Sequence, residues 1–228
     1  MKKIIICTLK TWNITAAKLL KKDLNHGNQI YIITEQDKLL SGAREINPDY
    51  IFFPHWSYII PEEIYENYNC IVFHMTDLPF GRGGSPLQNL IIRGYKSTKI
   101  SAIKVIKELD AGPVYMKEAL DLSGNASEIF ERATKIIFNK MIPNIIETSP
   151  VPYEQSGEVV IFKRRKPEES RLSENMSLSN IYDYIRMLDA EGYPNAFIQF
   201  GQYHLSLSNA EYRDGKLTAC IEFLEERI

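Results

Sequence analysis

A histidine closes the apolar run Asn69-Cys70-Ile71-Val72-Phe73-His74, and a loop containing Asp77, Pro79, Gly81, Arg82, Gly83, Gly84 and Pro86 follows it at once. Further on, Glu108-Leu109-Asp110-Ala111-Gly112-Pro113 puts a carboxylate at the mouth of a Gly-Pro turn. An imidazole and a carboxylate on neighbouring loops form a pair able to move protons, the imidazole titrating near neutrality and the carboxylate orienting it or taking its proton. Each residue alone also has a structural reading. His74 could simply be a hydrogen-bonded strand end, and Asp110 could simply close a turn. The composition of the loop after His74 favours chemistry, because glycines let backbone approach a ligand closely.

The flanking elements must deliver these side chains. Lys3–Leu9 is an unbroken apolar, β-branched run, as in a strand buried on both faces. Gln29–Thr34, Tyr50–Phe53 and Asn69–Phe73 read as further strands, separated by helical spacing over Ile14–Leu24, Leu39–Ile46 and Pro61–Tyr68, with His26-Gly27 as a helix stop. This alternation predicts an α/β fold with a doubly wound, mostly parallel sheet, in which ligands bind beyond the carboxyl ends of the strands. His74 stands at such an end. Thr8–Thr15 contains no glycine, so a dinucleotide cradle after the first strand is not expected. Ser85–Gly94 reads as a helix, Lys99–Leu109 and Val114–Leu122 as strands, and Ala126–Ile146 as one long amphipathic helix capped near Asn125 or Ser127. After a polar break at Thr148–Pro152 come a strand at Val159–Phe162, a basic cluster, a helix at Ser179–Leu188 and strands at Ala196–Gln199 and Tyr203–Ser208. The domain boundary is placed near residue 150, giving a catalytic domain over 1–150 and a small, β-rich appendage over 151–228.

Composition narrows the function classes. The chain of 228 residues is 44% hydrophobic and 11% aromatic, enough for a packed core. Its net charge of −2 lacks the basic excess of a dominant nucleic-acid surface, so no nucleic-acid partner is expected. Cys7, Cys70 and Cys220 are too scattered for a metal motif or a disulfide framework, and no metal is expected. The apolar run after Met1-Lys2-Lys3 is too short for a leader, and no stretch is long enough to span a membrane. A cytoplasmic location without membrane association is the expectation.

Thr11-Trp12-Asn13 and Pro54-His55-Trp56-Ser57 also follow strands. Aromatic and polar residues there could stack on a flat heteroaromatic ring and read its edges, or the tryptophans could merely anchor loops. His26 and His204 receive no role.

The order of buried strand, His-x-x-x-Leu-Pro, Arg-Gly-x-x-Pro-x-Gln and Leu-Asp-x-Gly-Pro resembles the folate-dependent formyltransferases, which move a formyl group from 10-formyltetrahydrofolate to an amine. His74–Pro79 matches the family's His-x-Ser-Leu-Leu-Pro, with Thr76-Asp77 in place of Ser-Leu, and Arg82–Gln88 is similar to the Arg-Gly-Ala-Ala-Pro-Ile-Gln loop of the methionyl-tRNA members. The resemblance implies that His74 donates to a developing oxyanion, with Asp110 orienting it or accepting the amine proton. It implies folate contacts, largely through backbone, at Leu78, Pro79, Gly83, Gly84, Ser85, Ile106, Leu109 and Gly112. The tail segments Phe162-Lys163-Arg164-Arg165-Lys166-Pro167 and Gly192-Tyr193-Pro194-Asn195-Ala196-Phe197 resemble motifs of the sugar-nucleotide N-formyltransferases. The acceptor implied is therefore a nucleotide-linked 4-amino-deoxysugar, such as a UDP-linked precursor of pseudaminic-acid type. Thr11, Trp12, Asn13, Trp56, Arg82 and Gln88 would line its site, and Arg164 and Arg165 would hold its diphosphate. A methionyl-tRNA formyltransferase is disfavoured because those enzymes carry a larger, more basic second domain. A homodimer through the appendage is allowed. The family's catalytic Asn, two residues before the His, is replaced by Val72, which leaves a catalytically silent nucleotide- or folate-binding module as the alternative.

Overall fold

The computed structural model describes residues 1–23 and 27–225. Leu24 and His26, read as part of the first helix and its stop, lie outside the described residues. Two compact units emerge, each built from several segments: Met1–Arg82 with Thr98–Leu120 and Glu131–Ile161, and Gly83–Ser97 with Asp121–Phe130 and Phe162–Ile228.

The first half of the chain runs β1 (Lys2–Cys7), α1 (Thr11–Asp23), β2 (Asn28–Ile33), α2 (Lys38–Ile46), β3 (Tyr50–Phe53), α3 (Glu62–Asn67), β4 (Cys70–His74), β5 (Phe80–Gly83), α4 (Pro86–Ile92), β6 (Ser97–Lys104) and β7 (Val114–Asp121). Six of these strands form one sheet in the order β2-β1-β3-β4-β6-β7. β1 to β4 pair in parallel, as the alternation predicts, while β4 meets β6 antiparallel with His74 opposite Ser101. Ile4, Ile5, Ile6 and Cys7 are all at 0% exposure, which is why β1 reads as an unbroken apolar run rather than an alternating one.

Several elements depart from the sequence reading. β6 stops at Lys104 instead of running to Leu109, and residues 105–113 form the loop that carries Asp110. The Gly-rich segment after His74 contains a strand, β5, which pairs with β8 (Val160–Phe162). Glycine is required there: Gly83 has φ +102°, and a Cβ on it would lie 2.4 Å from the Phe162 carbonyl oxygen. The long helix is broken into α5 (Ala126–Ile136), a π-turn at Ile137–Met141 and α6 (Ile142–Thr148). Pro143 has no N–H to donate and its ring would crowd the preceding turn, and the wider π-turn absorbs both effects.

The second unit contains α7 (Leu178–Arg186), capped by the Ser177 hydroxyl accepting from the Asn180 amide at 3.2 Å. Its sheet has the order β11-β10-β9, with β9 (Ala196–Phe200), β10 (Tyr203–Arg213) and β11 (Lys216–Glu225). β10 outruns the expected end at Ser208 and returns as β11, a strand absent from the sequence reading. The hinge is Asp214-Gly215, with φ +51° and +72°, the left-handed pair that a tight hairpin turn needs. No helix among the described residues is long and apolar enough to cross a membrane.

Candidate active site

His74 is 8% exposed and lies at the carboxyl end of β4. Its Nε2 is 2.7 Å from the Gly81 carbonyl oxygen, and its Nδ1 is 3.6 Å from Asp110 Oδ2. A carbonyl can only accept, so Nε2 carries a hydrogen, and in the neutral ring Nδ1 presents its lone pair to the carboxylate. Two acceptors face each other unless a proton lies between them. Nε2 is therefore the anchored nitrogen and Nδ1 the one available for proton movement, since 3.6 Å is too long for a formed hydrogen bond.

Several side chains hold the loop behind the histidine. The Thr76 hydroxyl also donates to the Gly81 carbonyl, at 3.3 Å. Ser101 Oγ donates to the Thr76 carbonyl at 2.7 Å and accepts from the Leu78 amide at 3.3 Å. Lys117 donates to Asp77 at 2.6 Å and to the Leu78 carbonyl at 2.5 Å, and Lys99 approaches the same carboxylate at 3.0 Å. Burial raises the Asp77 carboxyl, but the hydrogen bonds and charges of Lys117 and Lys99 outweigh it and hold the group below its ordinary value.

The loop bearing Asp110 is equally constrained. Asp110 adopts φ +53°, a left-handed conformation that side chains other than glycine, asparagine and aspartate avoid. At Gly112 a Cβ would lie 1.8 Å from the Lys104 carbonyl oxygen, so this position admits glycine alone. From the opposite direction Gln155 donates to the carbonyls of Asp110 and Gly112, at 2.9 and 2.8 Å. Its side-chain oxygen accepts from Arg82 Nε and Nη2, at 3.1 and 2.7 Å. Gln155 was not singled out in the sequence, where nothing marks it.

Other sequence-predicted positions are used inside the fold. Leu78 is at 0% exposure, packed with Ile103, Val114 and Val72, and both of its backbone groups are engaged by Ser101 and Lys117. Arg82 spends its fork on Gln155. Asn13 is 2% exposed and accepts from the Thr134 hydroxyl at 2.7 Å. Gln88 is buried and donates to the Met187 carbonyl at 3.0 Å. A Cβ on Gly84 would collide with Arg164 Cβ at 2.5 Å, and Ser85 Oγ accepts from the Arg165 amide at 3.0 Å. The Arg165 guanidinium lies 5.4 Å from the Tyr184 ring centroid. Pro79 follows a cis peptide, while Leu109 is 75% exposed beside Asp110 and Ile106 is half-buried. Val72 packs into hydrocarbon on β4, so no amide donor stands at that position.

Thr11 and Trp12 open α1. Trp12 meets His55 edge-on at 5.8 Å, with the Lys10 ammonium 5.6 Å from the indole centroid. Burial and the Lys10 charge push the His55 imidazole down to about 4. Trp56 packs edge-on against Phe53 and Tyr58, and its indole Nε1 is buried with no hydrogen-bond partner among the described residues. No group of three His, Cys, Asp or Glu side chains among the described residues could hold a metal.

Residues 13–137, more than half of the chain, match the family described as formyl transferase. The chain belongs to that family. Residues 167–224 also match the C-terminal domain of methionyl-tRNA formyltransferase. A solved structure described as methionyl-tRNA formyltransferase from Clostridium thermocellum is 56% identical, with TM-score 0.97, covering 99% of this chain and 100% of that one. The methionyl-tRNA formyltransferase of Rickettsia felis is 28% identical over 77% of this chain. This formyl transferase family member spans only 59% of that relative's length. A 4-N formyltransferase from Francisella tularensis shares the fold, with TM-score 0.68 at 16% identity, covering 99% of each chain.

These findings correct two expectations. The nucleotide-linked amino sugar drew on short tail motifs, whereas identity over 99% of the chain points to a protein named for methionyl-tRNA. The exclusion of a nucleic-acid partner falls with it, because the relatives' own name includes one. Net charge was the wrong quantity: −2 is a sum over the chain, and Lys163-Arg164-Arg165-Lys166 concentrates four cations in one segment.

Proposed function

We propose that this chain transfers a formyl group from 10-formyltetrahydrofolate to the amino group of methionyl-tRNA. The observation that carries this reading is the 56% identity, over both whole chains, to the Clostridium thermocellum protein of that name. The pair of buried His74 and partly buried Asp110 supplies the chemistry such a transfer requires. Exposed apolar Leu109, beside the carboxylate, suits the flat ring of a folate. The donor, when bound, supplies a formyl carbon open to attack by an amine.

The amine must lose a proton as it attacks, and negative charge grows on the formyl oxygen. Asp110 accepts that proton directly or through His74 Nδ1, the ring nitrogen not committed to a carbonyl. A proton taken up on Nδ1 would be a donor for the developing oxyanion. When the oxyanion collapses, the carbon–nitrogen bond to the formyl donor would break, and the proton taken from the amine would leave with the donor nitrogen. Nε2 keeps its bond to Gly81 throughout, so the ring does not swing. With hydrocarbon at Val72, this protonated imidazole carries more of the charge stabilisation than it would beside an amide donor. We assign the transfer to residues 1–150. Lys163, Arg164 and Lys166 are exposed cations suited to the acceptor's phosphates.

The test is formylation of tRNA charged with labelled methionine, using wild type, His74→Ala and Asp110→Asn. Formylmethionyl-tRNA is expected from wild type, with both variants down by ~10²-fold or more. No formyl gain with wild type, under conditions where a known methionyl-tRNA formyltransferase completes the reaction, would reject the acceptor.

A further inference from the structure

The contacts around His74 and Asp110 form a closed circuit. His74 Nε2 is held by the Gly81 carbonyl, the next residue Arg82 grips the Gln155 side-chain oxygen, and the Gln155 amide grips the Asp110 and Gly112 carbonyls. Asp110 Oδ2 then faces His74 Nδ1 at 3.6 Å. Every link lies in the first compact unit. Resting on the formyl-transfer reading above, we propose that Gln155 is a positioning residue for the reaction: it closes this circuit and sets the separation of imidazole and carboxylate.

Three features carry the proposal. First, the Gln155 amide has one possible orientation. Two carbonyls demand its NH2 and a guanidinium demands its oxygen, so a flipped amide would break all four contacts. Second, what it grips is the backbone of the carboxylate-bearing residue itself, which holds a left-handed φ of +53°. Gly112 pressed against Lys104 blocks the loop on one side, and Gln155 is the restraint on the other. Third, Gln155 is itself placed by backbone pairing two residues earlier. The Val114 amide donates to the Tyr153 carbonyl at 2.7 Å, and the Tyr153 amide returns the bond at 2.9 Å. The restraint is thus tied to the sheet and not to a loose tail. Arg82 in turn belongs to the positioning machinery, its guanidinium committed to this amide.

The variants are Gln155→Leu, which keeps bulk and loses every bond, Gln155→Glu, which keeps an acceptor for Arg82 but turns a carboxylate on two carbonyls, and Arg82→Met. Displacing a reacting group by about 1 Å costs ~10²-fold, so kcat should fall by that order in all three while KM for donor and acceptor stays within about threefold. Combining Arg82→Met with Gln155→Leu should cost no more than Gln155→Leu alone, because both cut one circuit. The imidazole nitrogen resonances of His74 should shift in each variant, a readout that needs no acceptor. Should Gln155→Leu fail to fold, Arg82→Met carries the same expectation without touching the Asp110 loop. A kcat within threefold of wild type in folded Gln155→Leu, or unmoved His74 resonances, overturns the proposal. A raised KM with unchanged kcat in Arg82→Met does so too, returning Arg82 to substrate contact. If wild type formylates no methionyl-tRNA, the acceptor reading fails and the nitrogen resonances alone decide the role of Gln155.

Discussion

Replacing Gly112 by alanine tests whether close backbone packing places Asp110. The new methyl would lie 1.8 Å from the Lys104 carbonyl oxygen, whereas real Cβ contacts do not fall below 3.0 Å. One backbone must retreat by about 1.2 Å, the difference between those distances. Lys104 is poorly placed to yield, because it ends a strand of the main sheet and its own amide is bonded to the Pro113 carbonyl at 2.9 Å. The loop therefore moves. A 2.8 Å bond from Gln155 to the Gly112 carbonyl does not survive a shift of that size, and Asp110, two residues away, is carried off His74. A misplacement near 1 Å predicts a kcat loss of ~10²-fold. The lost hydrogen bond and the loop strain predict destabilisation of ~1–3 kcal/mol. Single-turnover formylation reads the first and urea unfolding the second. A Gly112→Ala protein with wild-type turnover and wild-type stability would refute the argument, since the methyl would then have found room the structure denies it.

Other perturbations have equally definite outcomes. His55 is neutral when folded down to about pH 4 but takes a proton near 6.5 when unfolded, so stability should fall as pH drops through that window. The loss should reach ~3 kcal/mol at its acid end, and His55→Gln should flatten the urea-midpoint profile between those values; parallel profiles for the two proteins would sink the assignment. In Lys117→Met the Asp77 carboxyl should titrate at higher pH than in wild type, followed by carbon NMR of the carboxyl, with Lys99 retaining part of the depression. The stability that this carboxylate contributes is present above its unfolded value and is lost as pH falls through the folded one. Gly83→Ala meets both a left-handed φ of +102° and a backbone oxygen at 2.4 Å, so it should cost at least ~2 kcal/mol by urea unfolding, and a cost under ~0.5 kcal/mol would contradict the packing described.

Elements whose own residues carry their burial pattern were legible in the sequence, and those made by distant partners were not. β1 and β3 emerge from apolar runs alone, because a strand covered on both faces has no polar positions to blur its ends. β5 has no such signal: Phe-Gly-Arg-Gly looks like loop until β8, about eighty residues on, supplies its partner. The π-turn at Ile137–Met141 leaves the apolar face of the long helix intact, so only Pro143 hinted at it. β11 is different, since Asp214-Gly215 is a strong local hairpin signal. The signal existed; the strands on either side are too mixed in polarity to draw attention to it.

The candidate site divides along the same line. His74 and Asp110 could be found because strand ends and Gly-Pro turns are local events, and local order implies where each side chain emerges. The groups that fix their separation could not. Ser101, Lys117 and Gln155 act through backbone carbonyls, and a carbonyl carries no mark in the sequence of which side chain will reach it. The acceptor was misjudged for a further reason. At physiological salt a charge is felt over about 8 Å, so a phosphate responds to the few cations near it and not to the chain's total. A net charge of −2 is thus compatible with a nucleic-acid partner wherever cations are gathered, as at Lys163–Lys166. Composition can exclude a surface that is basic throughout, but it has no power over a short basic segment, and one such segment is all that an acceptor held mainly at its charged end would need.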